Sequence, residues 1–531
     1  MSNRRAMQRG FQLGTLVLGG AAIALAVGSL QAGCGGGGGT GAAGSGGGAA
    51  GTTGNAGTGG SSEAGTTGNA GTGGGAAGMG GTGAVGCRND LIEVAADITT
   101  TTTWACNSYV LKQKIHIDGG STLATLTIAA GSTIYGDGNP SNPAALISTR
   151  NGRLVAVGTP TAPITFTSYA PVGSRTPGDT FAGVVMLGGG VLNSGTCIND
   201  PNTATPACEA PGYFERVIEG IPATDARGKY GGSDNTSDCG EIKYARIQFG
   251  GYMLATNIEL NGLTLGGCGS QTKVSYVQVH RGLDDGVEIF GGAVNLDHIV
   301  VSGVDDDSLD WDFGWSGKVQ FLIVHQAYTT GDKGFEADNF VDNESITPRS
   351  NPEIWNTTLI AQTGNAKVGM HLRRGTWYKL RNLIVYGFGS SAIDVESNAA
   401  MTGNMPSADW PTNMNIESSV FFGGPVARNE VTTTPVPPEV ADNDSGFDEA
   451  AAIMAAARMN TTTMDPTFAA GLNAAMIPEA PSYVPGNAAA VMGKATPGAG
   501  FDATATYAGA VAPGTAAGSA WYDGWTTFPP N

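Results

Sequence analysis

Carboxylates crowd one short stretch of this chain. The segment GVDDDSLDWDFGW, residues 303–315, places five aspartates within eight residues, from Asp305 to Asp312. Carboxylates at this density can bind a hard cation, supply a general acid and a general base, or belong to a larger acidic surface. Which of these applies depends on the elements that hold the segment.

A repeated pattern surrounds this segment. The region from about 90 to 400 is a series of short apolar strands separated by Gly, Asn and Asp. Each copy has an apolar strand, a polar turn and a second strand in which apolar and polar residues alternate. The copies are VSYVQVHRGLDDGVEIF (274–290), LDHIVVSGVDDDSLDWD (296–312), VQFLIVHQAYTTGDKGFEAD (319–338), IWNTTLIAQTGNAKVGMH (354–371) and LRNLIVYGFGSSAIDVE (380–396). The tightest spacing, 22 residues, is typical of one coil of a solenoid. We therefore predict an all-β fold, a right-handed parallel β-helix with a C-terminal cap segment.

Several motifs also carry a family resemblance. CGEIKYARIQFGG (239–251), NGLTLGGCGSQTKVSYVQVH (261–280) and the closing WYDGWTTF (521–528) occur in a fixed order. In this order they resemble a family of secreted or cell-surface bacterial proteins that is expected to fold as a right-handed parallel β-helix. The resemblance spans about residues 90–531 and implies a location outside the cytoplasm. It implies no defined activity.

The second strands of the copies predict two columns of outward side chains. The apolar residues that we align are Ile258, Val287, Leu309, Phe335, Val368 and Ile393. Since neighbouring residues of a strand point to opposite faces, the next residues point outward. The first predicted column is Glu259, Glu288, Asp310, Glu336, Gly369 and Asp394. The second is Asn261, Phe290, Asp312, Asp338, His371 and Glu396.

Such columns suggest a calcium hypothesis. Carboxylates on strands about 4.8 Å apart repel one another unless cations, hydrogen bonds or protons relieve them. We predict Ca²⁺ as the one cofactor, held by Asp310, Asp312, Glu336, Asp338 and Glu288. The competing interpretation is that turn aspartates bond to backbone N–H groups and that outward acids are simply solvated.

The same face is also a candidate catalytic groove. Asp310 and Glu336 could act as the acid and base of a glycoside hydrolase, and Arg373 could serve as the base of a polysaccharide lyase. Acids are so abundant that such pairs are not specific. Three aromatic residues in turns are candidates for glycan contact, with loop anchoring as the alternative: Trp315, Trp377 and Tyr378.

No motif identifies an enzyme. The sequence contains no Gly-x-Ser-x-Gly, phosphate loop or dinucleotide motif, so no nucleotide is expected. We favour a non-enzymatic role in adhesion, in capture of a polysaccharide or surface polymer, or in envelope structure. A polysaccharide lyase or glycoside hydrolase is the alternative.

The N-terminal part predicts export and anchoring. Residues 1–33 combine three arginines with an apolar run and end just before Cys34, which favours a lipoprotein signal and lipidation of Cys34. Residues 34–86 are rich in Gly, Ala and Thr and predict a disordered stalk. We expect the β-helix over 87–400 and an irregular cap with one short helix over 401–531. The chain is then an outer-membrane lipoprotein that contacts the membrane only through its lipid.

Charge and cysteine content narrow the partners further. The formal net charge of −18 disfavours nucleic acid. Apart from Cys34, six cysteines remain, an even number in an exported chain. Proximity in sequence suggests the pairs Cys87–Cys106, Cys197–Cys208 and Cys239–Cys268.

Overall fold

In this computed structural model, the described residues are 87 and 90–531, except 140, 198–213, 256–257, 328–329, 363, 398–405, 437–439 and 475. The first strands are β1 (Leu91–Val94), β2 (Thr102–Trp104), β3 (Ser108–Leu111), β4 (Ile115–Ile117), β5 (Ala124–Ile128), β6 (Thr133–Gly136), β7 (Ala144–Ser148), β8 (Gly152–Val157), β9 (Ile164–Ser168), β10 (Phe181–Leu187), β11 (Thr196–Cys197), β12 (Phe214–Val217), β13 (Lys229–Tyr230), β14 (Gly240–Gln248), β15 (Tyr252–Ala255) and β16 (Ile258–Leu260). The later strands are β17 (Leu263–Gly266), β18 (Lys273–His280), β19 (Val287–Phe290), β20 (Asn295–Ser302), β21 (Leu309–Asp312), β22 (Lys318–Gln326), β23 (Lys333–Ala337), β24 (Glu353–Ala361), β25 (Val368–Arg373), β26 (Tyr378–Arg381), β27 (Ile384–Tyr386), β28 (Ser391–Glu396), β29 (Met414–Glu417), β30 (Val420–Phe422), β31 (Glu430–Val431) and β32 (Val440–Ala441).

Helices are short. They are α1 (Pro406–Asp409), α2 (Glu449–Met454) and α3 (Ala488–Val491), with 3₁₀ turns at Ala226–Gly228 and Ala456–Arg458. Within the described part of the chain, none has the length and apolar character needed to cross a membrane.

Two parallel sheets form the solenoid. The site sheet has the strand order β28-β25-β23-β21-β19-β17-β10-β7-β4. The long sheet has sixteen strands, and its main path runs β1-β3-β6-β9-β14-β18-β20-β22-β24-β26-β29. From β18 to β25 the chain passes alternately between the two sheets, so each of these coils adds one strand to each. The predicted parallel β-helix is confirmed.

The core lies between the sheets. Val279 and Val301 of the long sheet and Ile289 and Trp311 of the site sheet belong to one continuous apolar cluster and are almost fully buried. Period-two alternation explains this, because every second side chain of a strand points inward.

Every long strand bends at one residue with positive φ. The bend residues occupy equivalent positions on successive coils: Tyr244, Tyr276, His298, Phe321, Asn356, Asn382 and Ser418. The rings of Tyr244 and Tyr276 stack with centroids 4.5 Å apart, and those of Tyr276 and His298 with centroids 4.3 Å apart. We call these seven residues the bend ladder.

The sheets continue beyond residue 400, where we predicted the β-helix to end. Met414–Glu417 pairs in parallel with Tyr378–Arg381, and Val420–Phe422 pairs with Ile384–Tyr386. Strands of three or four residues are too short for an alternation pattern to reveal them.

Helix α2 lies in the cap region where the sequence predicted one short helix. It begins after Asp448, whose carboxylate accepts a hydrogen bond from the N–H of Ala451 at 2.9 Å. The structure also contains α1 and α3 beyond residue 400, where we expected one helix.

Disulfides stabilise the early coils. Cys239 and Cys268 are joined as predicted, and Cys87 is bonded to Cys106. Cys208, the predicted partner of Cys197, lies outside the described residues, as does Cys34.

Residues 466–531, the C-terminal strap, pack along the outer face of the long sheet. Val300, Ile323 and Ile360 are buried there against residues of the strap such as Tyr483 and Tyr522. Toward its end the strap reaches earlier coils, where the backbone N–H of Thr527 donates to the side chain of Gln278 at 3.0 Å.

Candidate functional site

The outward face of the site sheet collects carboxylates from successive coils. Register pairs Glu288 with Asp310, Asp310 with Glu336, Glu336 with His371, and His371 with Asp394. Glu288, Asp310 and Glu336 are therefore neighbours in space, in the order in which the sequence aligned them. Each is half-buried.

A second column lies two residues further along the same strands. Arg373 pairs with Glu396. Asp338 follows Ala337, which pairs with Trp311, and this places Asp338 beside Asp312. The column therefore mixes acids with an arginine.

The alignment of second strands that we made from the sequence is wrong for two coils. Ile258–Leu260 forms an antiparallel hairpin with Tyr252–Ala255, so Glu259 and Asn261 do not belong to the columns. Thr264 pairs with Glu288 and so occupies the position in the first column that we assigned to Glu259.

The second error concerns β25. Met370, not Val368, aligns with Phe335, and His371 rather than Gly369 lies next to Glu336. A slip of two residues preserves the inward and outward alternation, so the pattern alone cannot detect it.

Glu336 is surrounded by cations. Its carboxylate accepts from the guanidinium of Arg373, and the ammonium of Lys333 lies 2.7 Å away. Burial alone would raise the pKa of Glu336. Arg373, Lys333 and His371 outweigh that effect and hold this pKa well below its ordinary value. Glu336 is therefore ionised at neutral pH.

Asp310 has the opposite surroundings. Burial, followed by the neighbouring carboxylates of Asp285, Glu336 and Asp338, raises the pKa of Asp310 well above its ordinary value. Burial and Glu219 do the same for the pKa of Glu288. One carboxylate oxygen each from Asp307, Asp310 and Glu336 lie within 4.8 Å of one another. A carboxyl group with a raised pKa and one with a lowered pKa therefore lie side by side.

Asp338 is compensated by arginines. Its Oδ1 accepts from Nε of Arg373 at 2.6 Å, and its other oxygen accepts from Arg374. Burial lowers the pKa of Arg373, but Asp338 and Glu336 overcome this and hold that pKa well above its ordinary value. Arg373, our candidate lyase base, is thus a fixed cation that cannot abstract a proton.

The turn aspartates link the coils through backbone hydrogen bonds. The N–H of Asp307 donates to Asp285 at 2.9 Å, and the N–H of Lys333 donates to Asp307 at 2.7 Å. This is the interpretation that competed with metal binding at the corners.

Clusters with separations suited to a metal ion nevertheless occur on this face. They include Asp285 with Glu288 and Asp310, and Asp307 with Asp310 and Glu336. Of the predicted calcium ligands, Glu336 and Asp338 already have arginine partners. Calcium at this face remains a prediction.

Two of the predicted glycan contacts are wrong. Trp315 is fully buried, with its Nε1–H donating to the carbonyl of Val294 at 3.0 Å. Tyr378 is fully buried as well. Both rings belong to the apolar core cluster, where an aromatic ring makes more apolar contacts than it would at the surface. Trp377 is half-buried, and the guanidinium of Arg349 lies 5.1 Å from its ring centroid.

Two further side chains at this face were not foreseen from the sequence. The guanidinium of Arg216 lies 3.9 Å from the centroid of the Phe313 ring. Burial, and then the charge of Glu259, raise the pKa of Glu219 to about 7. Arg216 lies on β12 and Glu219 lies between β12 and β13, outside the repeated strands, so no strand alignment could place them.

A comparison with family models agrees with this architecture. A family model described as "Pectate-lyase like beta helix domain" matches residues 96–471, more than half of the chain. Among solved structures, the crystal structure of the periplasmic alginate epimerase AlgG is similar at 13% sequence identity, with a TM-score of 0.21. That similarity covers 64% of this chain and 76% of the epimerase chain. No curated protein sequence matches the chain.

Proposed function

Since the chain belongs to the pectate-lyase-like β-helix domain family, we propose that it cleaves a polysaccharide on the outward face of the site sheet, with Asp310 and Glu336 as the reacting pair. The observation that carries this proposal is the contrast between two neighbours. Glu336 is ion-paired with Arg373 and Lys333, whereas the charges nearest Asp310 are carboxylates.

The contrast gives each carboxyl group a role. Asp310 keeps its proton at neutral pH and donates it to the glycosidic oxygen as the C–O bond breaks. Ionised Glu336 stabilises the positive charge that develops at the sugar carbon. Water then completes the hydrolysis and returns a proton to Asp310.

The separation of the two groups favours one stereochemical course. The oxygens of Asp310 and Glu336 lie within 4.8 Å. Retaining glycosidases hold their carboxyl groups about 5–5.5 Å apart and inverting enzymes about 6.5–9.5 Å apart. A hydrolase that retains configuration therefore fits better than an inverting one. It also fits better than a lyase based on Arg373.

The charge of the face favours a neutral glycan as the substrate. Burial and neighbouring carboxylates already raise the pKa values of Glu288, Asp310 and Asp312, and the carboxylates of a polyuronate would add to that unfavourable negative charge. Calcium bound here would relax that preference. In our proposal protons, not calcium, relieve Asp310 and Glu288.

The predicted export signal and lipid at Cys34 fit this role. We propose that residues 34–86 hold the β-helix at a distance from an outer membrane, where it meets polymers of the cell surface or its surroundings. Capture of a polymer without turnover, the role that the sequence favoured, is the second candidate, because arginines already fix Glu336 and Asp338 in place.

The experiment compares Asp310→Asn with wild type on neutral polysaccharides and on polyuronates, with and without Ca²⁺. We expect new reducing ends from a neutral glycan, and a loss of about 10²–10⁴-fold in rate for the variant. Asp342→Asn changes an exposed acid beyond the same face and should retain full activity.

Equal rates for wild type and Asp310→Asn would refute the assignment of the acid. No cleavage of any polymer, together with retained binding to one, would establish the capture role instead.

A further inference from the structure

A second acidic cluster lies where the last coil meets the cap. Asp394 is on β28, Glu430 begins β31, Asp444 follows β32, and Glu449 opens α2. One carboxylate oxygen each from Asp394, Glu430 and Glu449 lie within 4.8 Å of one another. Asp394 and Asp444 are each 1% exposed, Glu449 is 3% exposed, and Glu430 is half-buried.

Cationic compensation at this cluster is small. Arg428 lies 3.1 Å from Oδ2 of Asp394, and His371 is paired in register with Asp394, so among the described residues these two cations face four carboxylates. The remaining stabilisation comes from backbone donors. The N–H of Val395 donates to Glu449 at 3.4 Å, and the N–H of Phe447 donates to Asp444 at 3.0 Å.

Within the described part of the chain, two buried oxygens of this cluster have no hydrogen-bond partner. They are Oδ1 of Asp394 and Oδ2 of Asp444. A buried charged oxygen without a partner is costly, and the cost is far lower if a cation occupies the space between the carboxylates. This is a separate reason, beyond the acidity of the cluster, to expect a ligand.

We propose that Asp394, Glu430, Asp444 and Glu449 bind one Ca²⁺ ion that holds α2 and the parallel β31–β32 pair against the last coil of the site sheet. All the ligands are oxygens, as Ca²⁺ prefers, and half-buried Glu430 leaves a side open for coordinating water. Mg²⁺ fits less well because it demands near-ideal octahedral geometry.

Protons compete with the ion for this cluster. Burial, and then Glu449, raise the pKa of Asp444 to about 8. Burial raises the pKa values of Glu430 and Glu449 to about 7. The other titratable or charged groups that face the cluster are Arg428, Asp442, His371 and Tyr378.

The test measures thermal unfolding of the full chain in EDTA, in 1 mM Ca²⁺ and in 1 mM Mg²⁺, at pH 6 and pH 8. At pH 8 we expect Ca²⁺ to raise the Tm by at least about 3 °C, since saturation stabilises only the folded state. Glu449→Gln and Asp394→Asn should each abolish this rise, whereas Asp310→Asn should keep it. Calorimetric titration of wild type should give one Ca²⁺ per chain.

Three results would overturn the proposal. They are no Ca²⁺ binding by wild type at pH 8, an equal rise with Mg²⁺, or an unchanged rise in Glu449→Gln. The titration of wild type stays decisive if either variant does not fold. Because Asp310→Asn leaves this cluster intact, failure here is distinguishable from failure of the proposed catalytic pair.

Discussion

At the scale of single residues, Arg373 decides how the acidic face is stabilised. It bridges Glu336 and Asp338, and its side chain is 15% exposed. These ion pairs are therefore buried, and the loss of Arg373 would leave two buried carboxylates without their compensating charge.

We predict that Arg373→Ala lowers the free energy of unfolding by about 3–5 kcal/mol. Arg153→Ala is the matched control. Arg153 pairs with Asp238 at a site where the two side chains are 35% and 29% exposed, and its loss should cost at most about 1 kcal/mol. Urea unfolding at pH 7 measures both.

The effect of Arg373→Ala should also depend on pH. The pKa of Glu336 is held below its ordinary value, so the stability from this pair is present above the unfolded pKa and is lost as the pH falls through the folded one. The gap between variant and wild type should narrow below about pH 4. A gap that stays constant down to pH 3 would contradict the ion-pair explanation.

Only part of this site was predictable from the sequence. Asp310 and Glu336 could be placed side by side because both follow an inward apolar residue in a repeated strand. Lys333 and His371 were missed as partners of Glu336, because the first depends on turn conformation and the second on a register that alternation leaves open by two residues.

At the scale of elements, the bend ladder joins the solenoid to the strap. Asn356 is fully buried, and its Nδ2 donates to the carbonyls of Ala505 at 3.0 Å and Tyr507 at 2.7 Å. Its φ of 50° is one that asparagine adopts more readily than most residues.

We predict that Asn356→Ala destabilises the protein by about 2–4 kcal/mol, since it removes a hydrogen bond from each of two strap carbonyls and disfavours the bend. The control is Asn343→Ala, on an exposed loop, which should change stability by about 1 kcal/mol or less. Chemical denaturation of both variants measures the difference. Similar losses in the two would contradict the role of the ladder.

The sequence predicted the strands but not these bends. Residues that favour positive φ are usually Gly and Asn, yet Tyr276, His298 and Phe321 occupy three of the positions. Their stacked rings compensate for an unfavourable backbone, and stacking between coils is a tertiary effect that no local pattern contains.

At the scale of the whole molecule, the strap reaches coils that precede it by more than two hundred residues. His280 is fully buried and makes two hydrogen bonds, to Oγ of Ser302 at 2.9 Å and to the carbonyl of Pro529 at 2.9 Å. The carbonyl can only accept, so the proton resides on Nε2 and Nδ1 accepts from the serine hydroxyl.

Acid should weaken this junction. Burial lowers the pKa of His280 to about 4, below its ordinary value of about 6.5. The unfolded chain therefore binds the proton first, and stability is lost as the pH falls from about 6.5 toward 4, by about 2–3 kcal/mol for this residue.

His280→Gln should reduce proton uptake on unfolding at pH 5 by about one proton, while leaving uptake at pH 8 unchanged. The measurement is the slope of unfolding free energy against pH for wild type and variant. Identical slopes around pH 5 would show that His280 is protonated in the folded state.

The composition beyond residue 400 indicated a segment that runs back over the solenoid, and residues 466–531 do pack along the long sheet. The path of the strap could not be predicted, because it follows apolar residues such as Val300 and Ile323 on the outward side of buried strands. Outward apolar residues look the same in a sequence whether solvent or another segment covers them.

The hydrogen bonds of the strap to early coils change how the molecule can come apart. A stack of coils in which each touches only its neighbours can unzip from an end, one coil at a time. Here Thr527 and Pro529 are bonded to Gln278 and His280, so the later coils lie within a loop closed by contacts about 250 residues apart in sequence. Fraying at the late end must break those contacts as well, which joins local openings into one cooperative event. During synthesis, this loop cannot close until Thr527 and Pro529 have left the ribosome.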